Sequence, residues 1–288
     1  MSKILITGSN GFLGSRLSRY LIKNNSVKAP LHSEMNFTNL EDVMDVFSQD
    51  VPDLVIHCGA ISDVRTCEAN SKKSYDVNVL GTENIAKACQ KYHSKMIFCS
   101  SDQIYFEKCG MKDHHENEKV SPINEYGKQK LKAEDICLSL CSDAVCLRLS
   151  WMYDFISYRE GEHKDLFRNI IMAIEKGDEI SYPVYDYRGI TYVQNVLKNI
   201  EKAFLLPGGV YNFGSENDKN TYETIKALLS LLGKKDYSVI PNTQAFADNP
   251  RNIKMNTDKI ESFGIEFPNT VQEFKECVIQ YNEYRHMA

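Results

Sequence analysis

Two periods of apolar residues alternate along this chain. Short unbroken apolar runs, as in Ile4-Leu5-Ile6 and Leu54-Val55-Ile56-His57-Cys58, predict strands buried on both faces. Between them, apolar residues recur every three or four positions and predict helices. The pattern places a strand at 3–7, a helix at about 12–24, a short strand at Ser26–Ala29, and a helix at Asn39–Ser48 with Leu40, Val43, Met44 and Phe47 on one face. A long helix is expected over Tyr75–Tyr92, with Val79, Ile85, Ala86 and Cys89 inward. It is followed by a strand at Met96–Cys99, a helix at Glu125–Leu140 and a strand at Ala144–Leu149. Strand–helix alternation of this kind implies an α/β fold with a doubly wound parallel sheet of Rossmann type.

The regularity loosens after Ser150. Helices are expected at Lys164–Lys176 (Leu166, Ile170, Ile171 and Ile174 inward), within Ile190–Leu206, at Thr221–Leu232 and at Val271–Tyr284, with a strand at Val210–Phe213. The expected organisation is a nucleotide-binding domain over 1–150, to which 185–215 returns. A smaller C-terminal substrate-binding lobe would comprise 151–184 and 216–288.

Composition narrows the function classes. The chain has 288 residues and a net charge of −5, which gives no support for a nucleic-acid-binding surface. No apolar run is long enough for a membrane span, and the first residues lead straight into a strand, so neither a signal nor a transit peptide is expected. The nine cysteines, among them Cys109, form no C-x-x-C pair. They are expected to be reduced, mostly buried thiols of a cytoplasmic protein, with no metal site.

The turn after the first strand reads Thr7-Gly8-Ser9-Asn10-Gly11-Phe12-Leu13-Gly14. Glycines at this spacing, between a buried strand and a helix, suit a dinucleotide diphosphate. Gly8 permits the tight turn, Gly11 lets the backbone approach phosphate, and Gly14 lets the helix pack close. The helix N-terminus adds free N–H groups and partial positive charge.

Tyr126 and Lys130 stand four apart near the start of a helix and therefore share a face. An ammonium close to a phenol favours the phenolate and would bring the tyrosine toward acid–base duty near neutral pH. Upstream, Ser101 lies just past the end of a strand, where an open α/β sheet lines its ligand crevice. Serine, tyrosine and lysine in this order, after a glycine turn, point to carbonyl reduction with a dinucleotide.

Together these pieces resemble the extended short-chain dehydrogenase/reductase family. The likeness covers nearly the whole chain and includes Cys58-Gly59-Ala60, Asn78, Ser100-Ser101-Asp102 and Arg148-Leu149-Ser150-Trp151-Met152-Tyr153. Within the family it is greatest to the dTDP-4-dehydrorhamnose reductases, whose late Arg-Pro segment Pro250-Arg251-Asn252 is similar to in altered order. The resemblance implies that Ser101, Tyr126 and Lys130 are catalytic. It implies that Gly8, Asn10, Gly11, Phe12, Leu13 and Gly14 hold the diphosphate, and that Asn36 and Phe37 lie beside adenine. Cys58, Gly59, Ala60, Asn78 and Lys130 would complete the cofactor site, while Asp102, Gln103, Trp151 and Arg251 would meet a nucleotide-linked sugar. A homodimer is a family expectation.

Two departures carry information. No carboxylate stands in Ala29-Pro30-Leu31-His32-Ser33 to grip an adenosine ribose, whereas Lys28, His32 and Ser33 could receive a 2′-phosphate, so NADP(H) is favoured over NAD(H). Gln103 occupies the position where related dehydratases carry a glutamate base, which disfavours dehydration. The expected activity is NAD(P)H-dependent reduction of a nucleotide-linked 4-keto-deoxysugar. An epimerase working by transient oxidation, and a non-catalytic regulatory subunit that keeps the nucleotide fold, stay open at this point.

Overall fold

A computed structural model describes residues 1–107, 110–160, 162, 165–234 and 236–287; Cys109, and Lys164 at the expected start of a helix, lie outside the described residues. In chain order the first elements are β1 (Lys3–Thr7), α1 (Phe12–Leu21), β2 (Ser26–Lys28), α2 (Leu40–Gln49), β3 (Leu54–His57), α3 (Val64–Ala69) and α4 (Ser71–Tyr75). A π-helical turn at Asp76–Leu80 leads into α5 (Gly81–Tyr92), β4 (Lys95–Ser101), α6 (Glu125–Leu140) and β5 (Val145–Leu149). Then come β6 (Trp151–Tyr153), α7 (Leu166–Lys176), β7 (Ile180–Pro183), β8 (Asp186–Tyr187), β9 (Ile190–Tyr192), α8 (Val193–Ala203) and β10 (Gly209–Phe213). The last are α9 (Thr221–Leu231), β11 (Val239–Asn242), β12 (Arg251–Asn252), α10 (Asp258–Glu261) and α11 (Thr270–Met287).

Six strands form one sheet in the order β10-β5-β4-β3-β1-β2. β1 pairs in parallel with both β2 and β3, and β3 with β4, in the Rossmann manner expected from the alternation. The chain leaves β1 toward β2 and then crosses to β3 on the other side. The strand order therefore reverses between β1 and β3, the switch point where open α/β sheets bind ligands.

The chain divides into two compact units. The first comprises Met1–Ile104, Val120–Arg148 and Ile200–Tyr211; the second comprises Tyr105–Lys119, Leu149–Asn199 and Asn212–Ala288. The first unit's core joins Leu5, Val55, Met96 and Phe98 of the sheet to Val43 and Phe47 of α2, Ile85 and Cys89 of α5, and Ala133 and Cys137 of α6. The second has its own core, in which Tyr153, Phe167, Ile170, Tyr192, Ile225, Leu228 and Phe274 interlock.

Several expectations change in detail. Leu40 starts α2 exposed, and Val46 takes its place in the buried stripe beside Val43 and Phe47. Asn39 is the N-cap and accepts a hydrogen bond from the Glu41 N–H, which puts Leu40 in the solvated first turn. Ile171 and Ile174 of α7 are only partly buried; Leu166, Phe167 and Ile170 form its inner stripe. The long helix ending at Tyr92 begins earlier, at Ser71, with the π turn inside it. His93, at φ 57°, closes that helix in the left-handed region.

Candidate active site

Close backbone approach builds the turn after β1. Gly8 has φ +68°, a side-chain-free conformation, and a Cβ there would stand 2.7 Å from Gly59 N. A Cβ on Gly14 would come within 2.3 Å of the Gly8 carbonyl oxygen, so only glycine lets α1 begin this near the strand. Gly11 is the N-cap of α1; its N–H donates to Gly8 O at 2.8 Å, and no side chain caps the helix. The first turn of α1 thus presents backbone N–H groups and the positive end of the helix dipole without a side chain capping them. Asn10 is exposed and Phe12 half-buried at this mouth, while Leu13 faces the core.

The neighbouring loop after β3 is fixed from behind. Gly59 N–H donates to Thr7 Oγ1 at 3.2 Å, and Thr7 Oγ1 lies 2.6 Å from His57 Nδ1. His57 Nε2 lies 3.0 Å from Thr82 Oγ1, whose own proton goes to Asn78 O at 2.8 Å. Thr82 must therefore accept from His57, which sets the neutral imidazole with its proton on Nε2. Burial, followed by the Lys130 charge, pushes the His57 pKa down to about 3. The Phe37 ring packs over Gly59 and Gly81, where a Cβ on either would come within 2.6 Å of it.

Two residues expected at the cofactor make hydrogen bonds within the fold. Asn78 is buried and bonds the backbone of Ile61 in both directions, at 2.8 and 3.0 Å, and its amide also donates to Gln129 Oε1 at 2.8 Å. Its side chain is spent on holding the loop after β3 against α6. Asn36 Oδ1 accepts from Thr38 N–H and from Thr38 Oγ1, so its side chain shapes its own turn. Ala60 is half-buried, His32 and Ser33 are exposed, and Lys28 is half-buried with Nζ 3.5 Å from Val46 O.

Ser101, Tyr126 and Lys130 all belong to the first unit and converge at the end of β4. Asn124 caps α6 by accepting from the Gly127 N–H at 2.6 Å, and its amide donates to Gln103 Oε1 at 3.3 Å. Gln103 N–H donates to Ser101 Oγ at 3.2 Å. A Cβ on Gly127 would lie 2.4 Å from Gln103 O, so glycine brings the first turn of α6 against the strand end. These contacts stitch the start of the helix to the end of the strand and bring Tyr126 near enough to Ser101 for that hydroxyl to act on the phenol. The side chain of Gln103 therefore serves this junction. Further along α6, Arg148 of β5 grips Glu134 through hydrogen bonds of 3.0, 3.3 and 2.8 Å, with both residues buried.

The electrostatics differ from the expectation. Tyr126 is 7% exposed, and its pKa is raised, first by burial and then by the Asp102 charge, while the hydrogen bond with Ser101 acts the other way. Lys130 Nζ lies 5.8 Å from the Tyr126 ring centre, over the Phe98 ring at 4.6 Å, and donates to Cys99 O at 2.7 Å. Burial lowers the Lys130 pKa. The phenol is thus held protonated, the form a proton donor needs. Asp102 is 1% exposed and accepts from Ser101 Oγ at 3.2 Å.

In the second unit, the expected substrate cations and aromatics are engaged locally. Arg251 binds Asp186 with two parallel hydrogen bonds of 2.8 Å, which occupy the fork that a diphosphate would need. Its guanidinium also covers the Phe246 ring at 4.3 Å. Trp151 is half-buried with the Arg188 guanidinium 5.0 Å over its ring. A cavity of about 380 Å³ lined by Phe155, Phe167, Ile171 and Tyr281 contains none of the site residues expected from the sequence. Asn124, Gly127, Gln129 and His57 organise the site and were not singled out. The signals for them were an Asn before a helix and a Gly beside the tyrosine, both common enough to pass unnoticed.

Comparison with known proteins gives consistent results. A family model described as the RmlD substrate binding domain matches residues 2–283. The chain is similar to a dTDP-4-dehydrorhamnose reductase of Aggregatibacter actinomycetemcomitans, at 26% identity over 92% of this chain and 95% of that protein. It is similar to the spore coat polysaccharide biosynthesis protein SpsK of Bacillus subtilis (strain 168), at 24% identity over 100% and 99% of the two chains. A crystal structure of dTDP-4-dehydrorhamnose reductase from Bacillus anthracis in complex with NADP superposes with a TM-score of 0.86 at 24% identity, covering 97% of this chain and 99% of that one.

Proposed function

The chain belongs to the family of the RmlD substrate binding domain, and from that premise we propose that it is an NAD(P)H-dependent reductase of a nucleotide-linked 4-keto-deoxysugar. The observation that carries the reading is the meeting of Ser101, Tyr126 and Lys130 at the end of β4, in the same compact unit as the glycine turn. The residues fit a dinucleotide: Gly8, Gly14 and Gly59 lie so close to neighbouring backbone and the Phe37 ring that no Cβ is admitted, and the turn they build lies at an uncapped helix N-terminus. In this reading the first unit binds the cofactor and carries the reacting side chains.

The turn from Gly8 to Gly14 holds the diphosphate with backbone N–H groups. Phe37, Cys58, Gly59 and Ala60 wall the adenosine side, and Lys28, His32 and Ser33 receive a 2′-phosphate, so NADP(H) is preferred. A bound reduced nicotinamide supplies the hydride. Tyr126 gives its phenolic proton to the ketone oxygen, and Ser101 Oγ, turning its proton away from Asp102, donates a hydrogen bond to the same oxygen. Lys130 keeps a positive charge beside the phenolate that remains, and the Cys99 carbonyl and Phe98 ring hold that ammonium in place. Asp102 sits at the substrate edge of this group, and Asn78 and Gln103 act by positioning their loops. No helix among the described residues is long and apolar enough to cross a membrane, and we place the enzyme in the cytoplasm.

The test is oxidation of NADPH with dTDP-4-dehydrorhamnose and related ketosugars, comparing the wild-type protein with Tyr126→Phe. Turnover that disappears in the variant supports the assignment; equal rates remove Tyr126 from the chemistry. Purification with tightly held oxidised cofactor and no net consumption of NADPH would indicate an epimerase. A stoichiometric enzyme partner, with no turnover on any ketosugar, would indicate a regulatory subunit.

A further inference from the structure

Cys58 follows β3 directly and Cys99 lies near the end of β4, one position beyond the registered pair His57 and Phe98 on these parallel strands. Adjacent strands are about 4.8 Å apart, within the span a disulfide bridges. The two sulfurs are already 3.3 Å apart and share a hydrogen bond. Cys58 is partly exposed, and Cys99 is buried behind it. A second thiol pair, Cys137 and Cys146, interacts electrostatically, but both of its members are completely buried in the first unit's core. Of these two pairs, the Cys58 pair is the one with a member that is not fully buried.

The position of the pair matters. The Cys58 carbonyl carbon and the Gly59 backbone stand 2.9 Å or less from where a Cβ on Gly8 would be, so they form one wall of the glycine turn. The Cys99 carbonyl accepts the Lys130 ammonium, and Ser101 lies two residues further on. Bringing the sulfurs from contact to a bond of about 2.05 Å pulls on both backbones at once.

We propose that Cys58 and Cys99 are a site of reversible oxidation by hydrogen peroxide, and that the disulfide they form weakens dinucleotide binding. This rests on reading the glycine turn as the dinucleotide site. The Cys58 thiolate attacks one peroxide oxygen and the O–O bond breaks, leaving a sulfenic acid on Cys58 and releasing water once the leaving oxygen is protonated. The Cys99 sulfur then attacks the sulfenic sulfur; the S–S bond forms, the S–O bond breaks and a second water leaves. Two thiols are oxidised and one peroxide is reduced. The hydrogen bond to Cys99, followed by burial, holds the Cys58 thiol above its ordinary pKa, while the Lys130 charge acts against this. Reaction at neutral pH is accordingly slow.

The experiment treats the whole protein with hydrogen peroxide, maps its thiols by peptide mass spectrometry, and titrates NADPH by fluorescence before and after. A Cys58–Cys99 cross-link should form before any at Cys137 and Cys146, slow down when NADPH is added first, and reverse with dithiothreitol. NADPH binding should weaken about ten-fold or more on oxidation and recover on reduction. Cys99→Ser should show no peroxide-dependent change in affinity. Terminal oxidation of Cys58 without a cross-link, cross-linking of the buried pair first, or equal NADPH affinity in the two redox states would each overturn the proposal. If the fully reduced protein binds no dinucleotide, the reading of the glycine turn fails and the regulatory claim falls with it. Equal binding in the two redox states removes the regulatory claim alone.

Discussion

Lys130 and Arg251 are both sheltered cations, one in each compact unit, and they are held in opposite ways. Lys130 is met by a neutral carbonyl at 2.7 Å and the face of Phe98, and burial lowers its pKa. Arg251 is met by both oxygens of Asp186. Burial raises the Asp186 pKa, but the hydrogen bonds and charge of Arg251 outweigh this and leave it below the ordinary carboxylate range. A cation given a buried carboxylate has its field neutralised and becomes part of the framework. A cation seated on a carbonyl and an aromatic ring keeps its field for whatever binds beside it. The comparison separates a site from a strut by the partner of the charge, where the residue type alone does not.

The sharpest way to break this contrast is to delete one member on each side. Tyr126→Phe and Lys130→Met should each lower ketosugar reduction by about 10²- to 10⁴-fold. Neither should lower the melting temperature much, because Lys130 leaves no carboxylate unpaired at its own hydrogen bond. Arg251→Met should do the reverse. It strands Asp186, which is 1% exposed, and should cost about 3–5 kcal/mol of stability. Denaturant melts and steady-state rates on the same preparations check both. A stable Arg251→Met protein with a raised KM would return Arg251 to substrate binding.

A second pair sharpens the comparison through pH. His57 in the first unit has a folded pKa of about 3 against an ordinary 6.5, so its neutral form is stabilised by folding. That contribution is full above pH 6.5 and is lost as pH falls toward 3. Glu273 in the second unit has a folded pKa of about 8 against 4.5, set first by burial and opposed by hydrogen bonds from the Tyr192 N–H and Asn195. Its contribution is full below pH 4.5 and is lost as pH rises through 8. Each spans a few pH units, so each effect is on the order of a few kcal/mol. Melting temperatures measured across pH should show His57→Gln flattening the acid limb and Glu273→Gln flattening the alkaline one. If either variant leaves its limb unchanged, that group does not drive the pH dependence.

These assignments divide along the line between local and long-range information. The alternation of apolar runs made the parallel sheet legible, because a strand buried on both faces has to be apolar throughout, as Leu54–His57 is. The glycine turn was legible because its steric demand is local: a Cβ on Gly14 meets Gly8, six residues away. The Tyr126–Lys130 face was legible from helix geometry. The partner of Arg251 was not, since Asp186 is 65 residues distant and nothing in either neighbourhood specifies the other. For the same reason the hold of the Asn78 amide on Ile61 and Gln129 was not legible. The direction of the Tyr126 shift was missed because burial and Asp102, not the i, i+4 lysine, dominate its surroundings.

Lys28 tests the weakest form of the same rule. It stands at the end of β2, half-buried, with a 3.5 Å contact to the Val46 carbonyl. Beside it, Ser9 Oγ donates to Pro30 O at 3.0 Å, tying the segment that carries His32 and Ser33 to the glycine turn. A cation in this setting is open to solvent screening, so its preference for a 2′-phosphate should be modest. Lys28→Glu should weaken NADPH by about ten-fold, or about 1.4 kcal/mol, and leave NADH unchanged or slightly improved. Raising the salt concentration should shrink the difference, as it does for exposed charges, whereas the loss caused by Tyr126→Phe should not respond to salt. A Lys28→Glu protein with unaltered NADPH affinity at low salt would place the cofactor selectivity elsewhere in the first unit.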